Sequence, residues 1–198
     1  MQHVSDISML HTLLSAASSP IINKLCFDLA QHDQITYDHC QRVAGYCVII
    51  NRRVELLNQE QSIALAQAAM LHDIGKTMIP ADILQKPGPL TELEFHTIKK
   101  HPVNGALIAI RNGLPYAVVA LIACHHKKED GSGYLDMDIP KDLKDAAALL
   151  HLCDVYDALR HERPYKPAMD KSDVISLLSM KGASDIRMEY LDYLQYLP

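Results

Sequence analysis

The sequence lacks the features that mark several large classes of protein. It has no block of basic residues, and 19 Lys and Arg against 24 Asp and Glu give a formal net charge of −5, which argues against a duplex nucleic-acid partner. Its longest apolar stretches, such as residues 116–124, fall short of the roughly 20 residues that a membrane-spanning helix needs. Asp6 stands where a secretory signal would begin with basic residues. We therefore expect a cytoplasmic protein with no membrane span.

Cysteine chemistry is also sparse. The chain has five cysteines, an odd number, and no C-x-x-C pair. This pattern argues against a disulfide framework and against a thiolate zinc site. We expect small buried hydrophobic residues at Cys26, Cys40, Cys47, Cys124 and Cys153.

The hydrophobic pattern is helical throughout, and no pair of alternating runs predicts a sheet. Runs rich in Ala and Leu with helical spacing occupy residues 63–71, 106–110, 117–124 and 146–159. Thr91-x-x-Glu94 matches a capping box that opens a further helix. Turn residues separate roughly eight such segments. We expect an all-α bundle with its main domain in residues 36–198 and an N-terminal helical extension, residues 1–35, packed on that domain.

Histidine is abundant, with 11 residues, and its positions indicate a metal site. His72-Asp73 ends an apolar helix, and Asp154 lies inside another, where an unpaired carboxylate would be costly to bury without a cation. Further candidate ligands are His39, His101, His125 and His126. Seven imidazole and carboxylate ligands are too many for one tetrahedral ion and suit two ions that share a carboxylate. Such a pair of ions can clamp both oxygens of a phosphoester during in-line displacement.

A series of motifs follows in a fixed order along residues 39–166. The motifs are His39-x-x-Arg42-Val43, His72-Asp73-Ile74-Gly75-Lys76, Ile79-Pro80-x-x-Ile83-Leu84, His101-Pro102-x-x-Gly105, His125-His126-x-x-x-Asp130-Gly131-x-Gly133-Tyr134, Asp154-Val155-Tyr156-Asp157 and Arg163-Pro164-Tyr165-Lys166. In these motifs the chain resembles the HD-GYP family of metal-dependent phosphodiesterases. The resemblance implies an all-helical HD-superfamily bundle that hydrolyses the bacterial second messenger cyclic di-GMP to pGpG or GMP, through a dinuclear metal site and a bridging hydroxide.

The resemblance also implies a set of metal ligands. One ion would be held by His39, His72, Asp73 and Asp154. The second would be held by the bridging Asp73 together with His101, His125 and His126. Two divalent ions, with iron or manganese favoured, are the expected cofactors, and cyclic di-GMP or a related cyclic dinucleotide is the expected ligand.

Catalytic and substrate-binding residues follow from the same resemblance. The catalytic residues would be Asp73, Lys76 and Asp157, the last two by orienting substrate and water near the metals. The substrate-binding residues would be Lys76, Gly133, Tyr134, Arg163 and Lys166, with Arg163 and Lys166 on the phosphates.

Three positions depart from the family pattern. Ile35 stands four residues before His39, where some members have a Glu that recruits a third metal, so we expect two metals. Lys127 replaces a Glu after the histidine doublet, and Leu135 replaces the proline of Gly-Tyr-Pro, which would restrict the preceding backbone. We expect a more mobile loop and slow turnover with measurable nucleotide affinity.

Other interpretations fit part of the same pattern. A binding module would keep metal and nucleotide affinity and act through partners such as diguanylate cyclase (GGDEF) proteins, with little turnover. An HD-superfamily hydrolase of another nucleotide is disfavoured by the histidine doublet and its loop. His151, three residues before Asp154, is an extra ligand, an outer partner of a ligand or, as we favour, a hydrogen-bonded core histidine. The oligomeric state and the choice between cyclic di-GMP and cyclic GMP-AMP stay open.

Overall fold

The computed structural model describes residues 17–135, 137–162, 167–182 and 184–198. These ranges contain nine α-helices: α1 (Pro20–His32), α2 (Gln34–Val54), α3 (Gln59–Leu71), α4 (Ala81–Leu84), α5 (Glu92–Ile98), α6 (His101–Arg111), α7 (Tyr116–Cys124), α8 (Lys144–Arg160) and α9 (Lys171–Lys181). Short 3-10 helices cover Ile74–Met78, Lys141–Leu143 and Met188–Tyr196. The described residues form no β-strand, which confirms the predicted all-α class.

Local capping signals set where several helices begin. The Thr91 side chain accepts a hydrogen bond from the Glu94 N–H, and the Glu94 side chain accepts one from the Thr91 N–H, so the predicted capping box opens α5. Asn58 and Gln61 form a second capping box at the start of α3. Ser19 caps α1, which has a proline in its first turn, where the missing N–H costs no helical hydrogen bond.

Helices α2, α3, α7 and α8 form the centre of the bundle. Helix α2 packs on α3 and on α8, and α3 also packs on α7. Their fully buried aliphatic side chains include Ile50, Leu65, Leu71, Leu121, Leu149 and Leu150. Burial of each such side chain contributes about 1.5–3 kcal/mol. All five cysteines are buried and free, as the sequence predicted.

Helix α1 belongs to the same hydrophobic core. Its inward face contributes Ile22, Leu25 and Leu29. Residues 1–16 of the predicted N-terminal extension lie outside the described residues, and a boundary at residue 35 stays a prediction. Every helix in the described ranges is too short or too polar to cross a bilayer.

The 3-10 helix that follows α3 passes very close to the start of α6. A β-carbon on Gly75 would overlap the carbonyl oxygen of His101 and would also meet the backbone nitrogen of Gly105. Only glycine permits this approach, because every other residue adds a β-carbon. The close contact holds the end of α3, with its His72-Asp73 pair, beside the first residue of α6.

Candidate metal centre

The seven predicted metal ligands converge from five parts of the fold. His39 lies on α2, His72 and Asp73 follow the end of α3, His101 begins α6, His125 and His126 follow α7, and Asp154 lies within α8. All except His126 are at most 7% exposed. Burial of carboxylates and imidazoles is costly unless each finds a hydrogen bond or a cation. The contacts among these side chains therefore decide what the cluster can do.

The ligand atoms form two groups, which we call the His39 group and the His101 group. The His39 group contains His39, His72 and Asp154, and the His101 group contains His101, His125 and His126. Within each group the ligand atoms lie within 4.8 Å of one another. Asp73 lies between the groups, with Oδ1 3.1 Å from His101 Nε2 and Oδ2 3.6 Å from His72 Nε2. Its two oxygens can therefore serve one cation in each group.

The hydrogen bonds of three histidines fix which ring nitrogen carries the proton. Nδ1 of His72, His101 and His125 lies 2.9, 2.7 and 2.7 Å from the carbonyl oxygen three residues earlier. A carbonyl oxygen only accepts hydrogen bonds, so Nδ1 donates and Nε2 of the neutral ring keeps its lone pair. His101 Nε2 and His125 Nε2 then face each other at 3.1 Å. Two lone pairs so close repel unless a proton or a metal ion lies between them, and the arrangement can therefore hold a metal ion.

The charge states of these groups also suit metal binding. Burial lowers the pKa of His72, and burial together with the neighbouring His126 lowers the pKa of His125 well below its usual range. Burial by itself raises the pKa of Asp73, but Lys76 and His72 outweigh burial and hold it well below its usual range. The two imidazoles are thus neutral and the carboxylate is ionised at neutral pH. These are the forms that ligate metal ions.

Lys76 lies beside the carboxylate that joins the two groups. Its Nζ donates a hydrogen bond to Asp73 Oδ2 at 2.6 Å. The bond joins an ammonium to a carboxylate and belongs to the stronger class of hydrogen bonds. The structure therefore brings together Asp73 and Lys76, two of the three residues predicted as catalytic.

Asp157, the third predicted catalytic residue, contacts the far side of a ligand histidine. Its Oδ2 lies 2.6 Å from His39 Nδ1, whereas His39 Nε2 faces Asp154 Oδ1 at 3.0 Å. Arg42 donates to both Asp157 oxygens, from Nε at 2.8 Å and from Nη2 at 2.9 Å. No role for Arg42 was apparent from the sequence. The sequence feature that could have indicated a role is the position of Arg42 three residues after His39, on the same face of a helix.

The predicted substrate loop lies against the His101 group. The ring centroids of Tyr134 and His126 are 4.5 Å apart, and those of Tyr134 and His101 are 6.3 Å apart. Gly133 has a φ of +141°, and a β-carbon there would crowd the His126 carbonyl oxygen, so glycine allows the loop to approach the doublet. Arg163 and Lys166, the predicted phosphate ligands, lie outside the described residues.

Contacts with the C-terminal part of the chain hold this loop. Lys128 Nζ pairs with Asp185 Oδ1 at 2.8 Å. The Asp130 N–H donates to the Ser184 carbonyl oxygen at 3.1 Å. No role for Ser184 and Asp185 was apparent from the sequence, because their loop partners Asp130 and Lys128 are more than 50 residues away along the chain.

Two further side chains bond to carbonyl oxygens around the histidine doublet. Lys127 donates to the Leu135 carbonyl oxygen at 3.3 Å, so it closes the loop that these two residues bound. His151 Nδ1 donates to the His125 carbonyl oxygen at 3.0 Å, which ties the end of α7 to α8. The second nitrogen, His151 Nε2, is buried with no hydrogen-bond partner among the described residues. The favoured interpretation of His151 as a hydrogen-bonded core histidine therefore holds at Nδ1.

Fold and site together define a helical protein of the HD type, in which an adjacent His-Asp pair at a helix end joins histidines from neighbouring helices. The sequence model of the family described as HD domain matches residues 24–186. The chain belongs to the HD domain family, and this membership confirms the predicted HD-superfamily fold. HD-domain phosphodiesterases depend on metal ions, and the His and Asp clusters described above are able to hold them.

Named relatives support the more specific resemblance to HD-GYP proteins. The chain is 30% identical to a cyclic di-GMP phosphodiesterase of Pseudomonas aeruginosa, over 86% of this chain and 44% of the relative. It is 40% identical to the cyclic di-GMP phosphodiesterase response regulator RpfG of Xanthomonas campestris pv. campestris, over 79% of this chain and 42% of the relative. It is 34% identical to the 3'3'-cGAMP-specific phosphodiesterase 2 of Vibrio cholerae, over 85% of this chain and 33% of the relative. The chain thus spans less than half the length of each of these relatives.

Solved structures share the fold. An HDG"Y"P protein from Bdellovibrio bacteriovorus superposes with a TM-score of 0.65 at 19% identity, over 80% of this chain and 50% of the other. The HD domain of the L. monocytogenes phosphodiesterase PgpH superposes with a TM-score of 0.63 at 18% identity, over 90% of this chain and 94% of the other. At such identities the likeness concerns the fold alone. Together with the relatives above, it confirms the HD-GYP resemblance predicted from the sequence.

Proposed function

We propose that this chain is a metal-dependent phosphodiesterase that hydrolyses cyclic di-GMP to pGpG or GMP. The observation that carries the proposal is the pair of ligand groups joined by Asp73, with imidazole Nε2 atoms directed at one another. Relatives at 30% and 40% identity that are named cyclic di-GMP phosphodiesterases support this substrate. The relative named as cGAMP-specific, at 34% identity, makes 3'3'-cGAMP the second candidate.

Two divalent ions, iron or manganese, are the proposed cofactors. The first would be held by His39, His72, Asp73 and Asp154, and the second by Asp73, His101, His125 and His126. Imidazole ligands with a shared carboxylate suit late first-row metals. When bound, such ions activate water at neutral pH and neutralise the charge that develops on a phosphoryl group.

The charge of the site favours an anionic ligand although the chain as a whole is negative. Two divalent ions would add four positive charges, and Asp73 and Asp154 would remove two of them. Lys76 adds one positive charge beside Asp73, from which its ammonium group can also reach toward a phosphate oxygen. The clustered positive charge attracts the two phosphates of a cyclic dinucleotide locally, against the net charge of −5.

The remaining side chains of the site would orient the nucleotide. Tyr134 is 41% exposed and its ring lies beside His126, so it offers one face to a guanine base. Gly133 keeps the loop close to the histidine doublet. Arg163 and Lys166 are proposed to contact the phosphates, on the basis of the family resemblance. A cytoplasmic location and an interaction with diguanylate cyclase proteins stay predictions.

Product analysis tests this function. Protein loaded anaerobically with Fe²⁺ or Mn²⁺ is mixed in parallel with cyclic di-GMP, 3'3'-cGAMP and dGTP, and the products are separated by chromatography. We expect linear products from a cyclic dinucleotide and none from dGTP. A metal-loaded protein that binds cyclic di-GMP but forms no product supports the binding-module alternative, and product from dGTP alone contradicts the proposed substrate class.

A further inference from the structure

Asp157 is a buried carboxylate that accepts hydrogen bonds at both of its oxygens. Only 1% of its side chain is exposed. Four nitrogen atoms lie within 3.0 Å of its two oxygens: His39 Nδ1 at 2.6 Å, Arg42 Nε at 2.8 Å, Arg42 Nη2 at 2.9 Å and His161 Nδ1 at 3.0 Å. An ionised carboxylate offers about four acceptor sites. The hydrogen bonds from His39 and Arg42 take three of these sites and the side chain is buried, so Asp157 is poorly placed to contact water or a substrate group directly.

The position of Asp157 follows from the packing of α2 on α8. His39 and Arg42 lie three residues apart on one face of α2, and Asp154 and Asp157 lie three residues apart on one face of α8. The His39 ring sits between the two carboxylates, with Nε2 3.0 Å from Asp154 and Nδ1 2.6 Å from Asp157. The two ring nitrogens of His39 therefore have different roles. Nε2 is the candidate metal ligand of the His39 group, and Nδ1 bonds to Asp157.

His39 differs from His72, His101 and His125 in the partner of its Nδ1. The Nδ1 atoms of His72, His101 and His125 donate to backbone carbonyl oxygens, whereas His39 Nδ1 bonds to a carboxylate. A carboxylate partner fixes the tautomer and makes the ligating nitrogen a stronger base. Arg42 holds the carboxylate with two parallel hydrogen bonds, a fork that a lysine is unable to form.

We propose that Asp157 and Arg42 are positioning residues that fix the tautomer and orientation of His39 and thereby strengthen metal binding in the His39 group alone. This inference rests on the proposed metal centre. In this proposal Asp157 acts on the metal site through His39, whereas the family resemblance implies that it orients substrate and water near the metals. The two residues act through His39, so the expected effect of removing either is confined to one of the two proposed ions.

Cobalt binding provides a readout that does not depend on turnover. Metal-depleted parent protein, Asp157→Asn and Arg42→Lys are titrated with Co²⁺ in competition with a chelator, and the visible absorption of bound Co²⁺ is followed. Loss of such an outer partner of a ligand typically costs about 10- to 100-fold in metal affinity. We expect Asp157→Asn to show this loss in one of two binding steps, with a changed absorption band for that step, and Arg42→Lys to show a smaller loss in the same step.

Matched controls separate this role from general destabilisation. Asp185→Asn also neutralises a buried aspartate in an ion pair, and Arg187→Lys also removes a guanidinium that pairs with carboxylates; the ion-pair partners Lys128, Glu129 and Asp145 are not members of the ligand groups. Neither should change either cobalt-binding step. Circular dichroism checks that each variant is folded. If Asp157→Asn fails to fold, Arg42→Lys tests the inference by itself. We expect this variant to fold, because the Arg42 side chain is 34% exposed and lysine keeps its positive charge.

The possible results bear on the two proposals separately. A parent protein that binds no cobalt overturns both the proposed function and this inference. A parent that binds two ions, with both steps unchanged in Asp157→Asn and Arg42→Lys, overturns only the inference. Equal weakening of both steps also overturns it, because that result assigns the two residues a general structural role.

Discussion

Gly75 and His101 pack so closely that a single added methyl group has no room between them. The contact joins the 3-10 helix after α3 to the first residue of α6. It therefore sets the distance between Asp73 and His101, whose side chains meet at 3.1 Å. A metal centre assembled from separate helices depends on such backbone contacts as much as on its ligands.

Gly75→Ala should destabilise the protein and weaken metal binding in the His101 group. The added methyl group meets backbone atoms, which are unable to rotate away, and overpacking of this kind costs about 1–3 kcal/mol. The control is Gly45→Ala, because a β-carbon at this helical glycine has no neighbouring atom within 4 Å. That control should be neutral or stabilising by about 0.5–1 kcal/mol, since alanine favours the helix. Urea unfolding and elemental analysis measure both effects, and equal stability of the two variants contradicts the prediction.

Asp73→Ala should remove more metal than any other single ligand change. Its two oxygens face different groups of ligands, so its loss affects both proposed ions. His126→Ala should affect the His101 group alone and leave part of the metal in place. His96→Ala, which alters a histidine on the exposed side of α5, serves as the control. Elemental analysis after anaerobic reconstitution measures the metal that each variant retains. The prediction is wrong if Asp73→Ala retains as much metal as His126→Ala.

Asp185→Asn should loosen the substrate loop without changing metal content. The substitution removes the carboxylate that pairs with Lys128 at 2.8 Å. Because the Lys128 side chain is 44% exposed, the pair is worth only about 0.2–1 kcal/mol, so the Asp130 amide should exchange its hydrogen at most about fivefold faster. Asp28→Asn removes an exposed pair with Lys24 and should leave the loop unchanged. Hydrogen exchange at residues 128–134 that matches the parent would refute this coupling.

The double variant Lys127→Glu with Leu135→Pro should hydrolyse cyclic di-GMP faster than the parent. Proline at position 135 restricts the backbone of Tyr134, and small losses of positioning can cost ~100-fold in rate. The two single variants are the controls, because Lys127 bonds to the carbonyl oxygen of Leu135 and the positions are coupled. Turnover is measured by chromatography. If the double variant is no faster than the parent, the loop does not limit the reaction.

Glu94 should make the capping box of α5 sensitive to acid. The hydrogen bonds from Lys86 and Thr91 lower the pKa of Glu94 from 4.5 to about 2. Because the folded-state pKa lies below the usual value, this stabilisation is present above pH 4.5 and is lost as the pH falls toward 2. Glu94→Gln keeps the neutral hydrogen bonds, so its melting temperature should differ most from the parent above pH 5 and converge with it in acid. A difference that is independent of pH would contradict the assignment, and Glu92→Gln, which leaves the capping box intact, is the control.

The sequence by itself predicted the all-α class, the capping box at Thr91 and Glu94, and the seven candidate ligands, which are the six residues of the two ligand groups and Asp73. These features can be inferred from sequence because their signals are local. Helical periodicity and capping act over a few residues, and the His and Asp motifs are read in order along the chain. Arg42 lay in one of those motifs, but nothing nearby in the sequence indicated its partner.

Only the tertiary structure decided that the Tyr134 ring lies beside the His126 ring and that Asp157 bonds to the His39 nitrogen opposite the ligating one. His39 and Asp157 are 118 residues apart, and they meet because α2 packs on α8 with one particular rotation about its axis. Several rotations of an amphipathic helix keep its apolar stripe buried. The close packing of the whole core selects one of them, and a rotation of α8 by one residue position would direct a neighbour of Asp157, rather than Asp157 itself, toward His39.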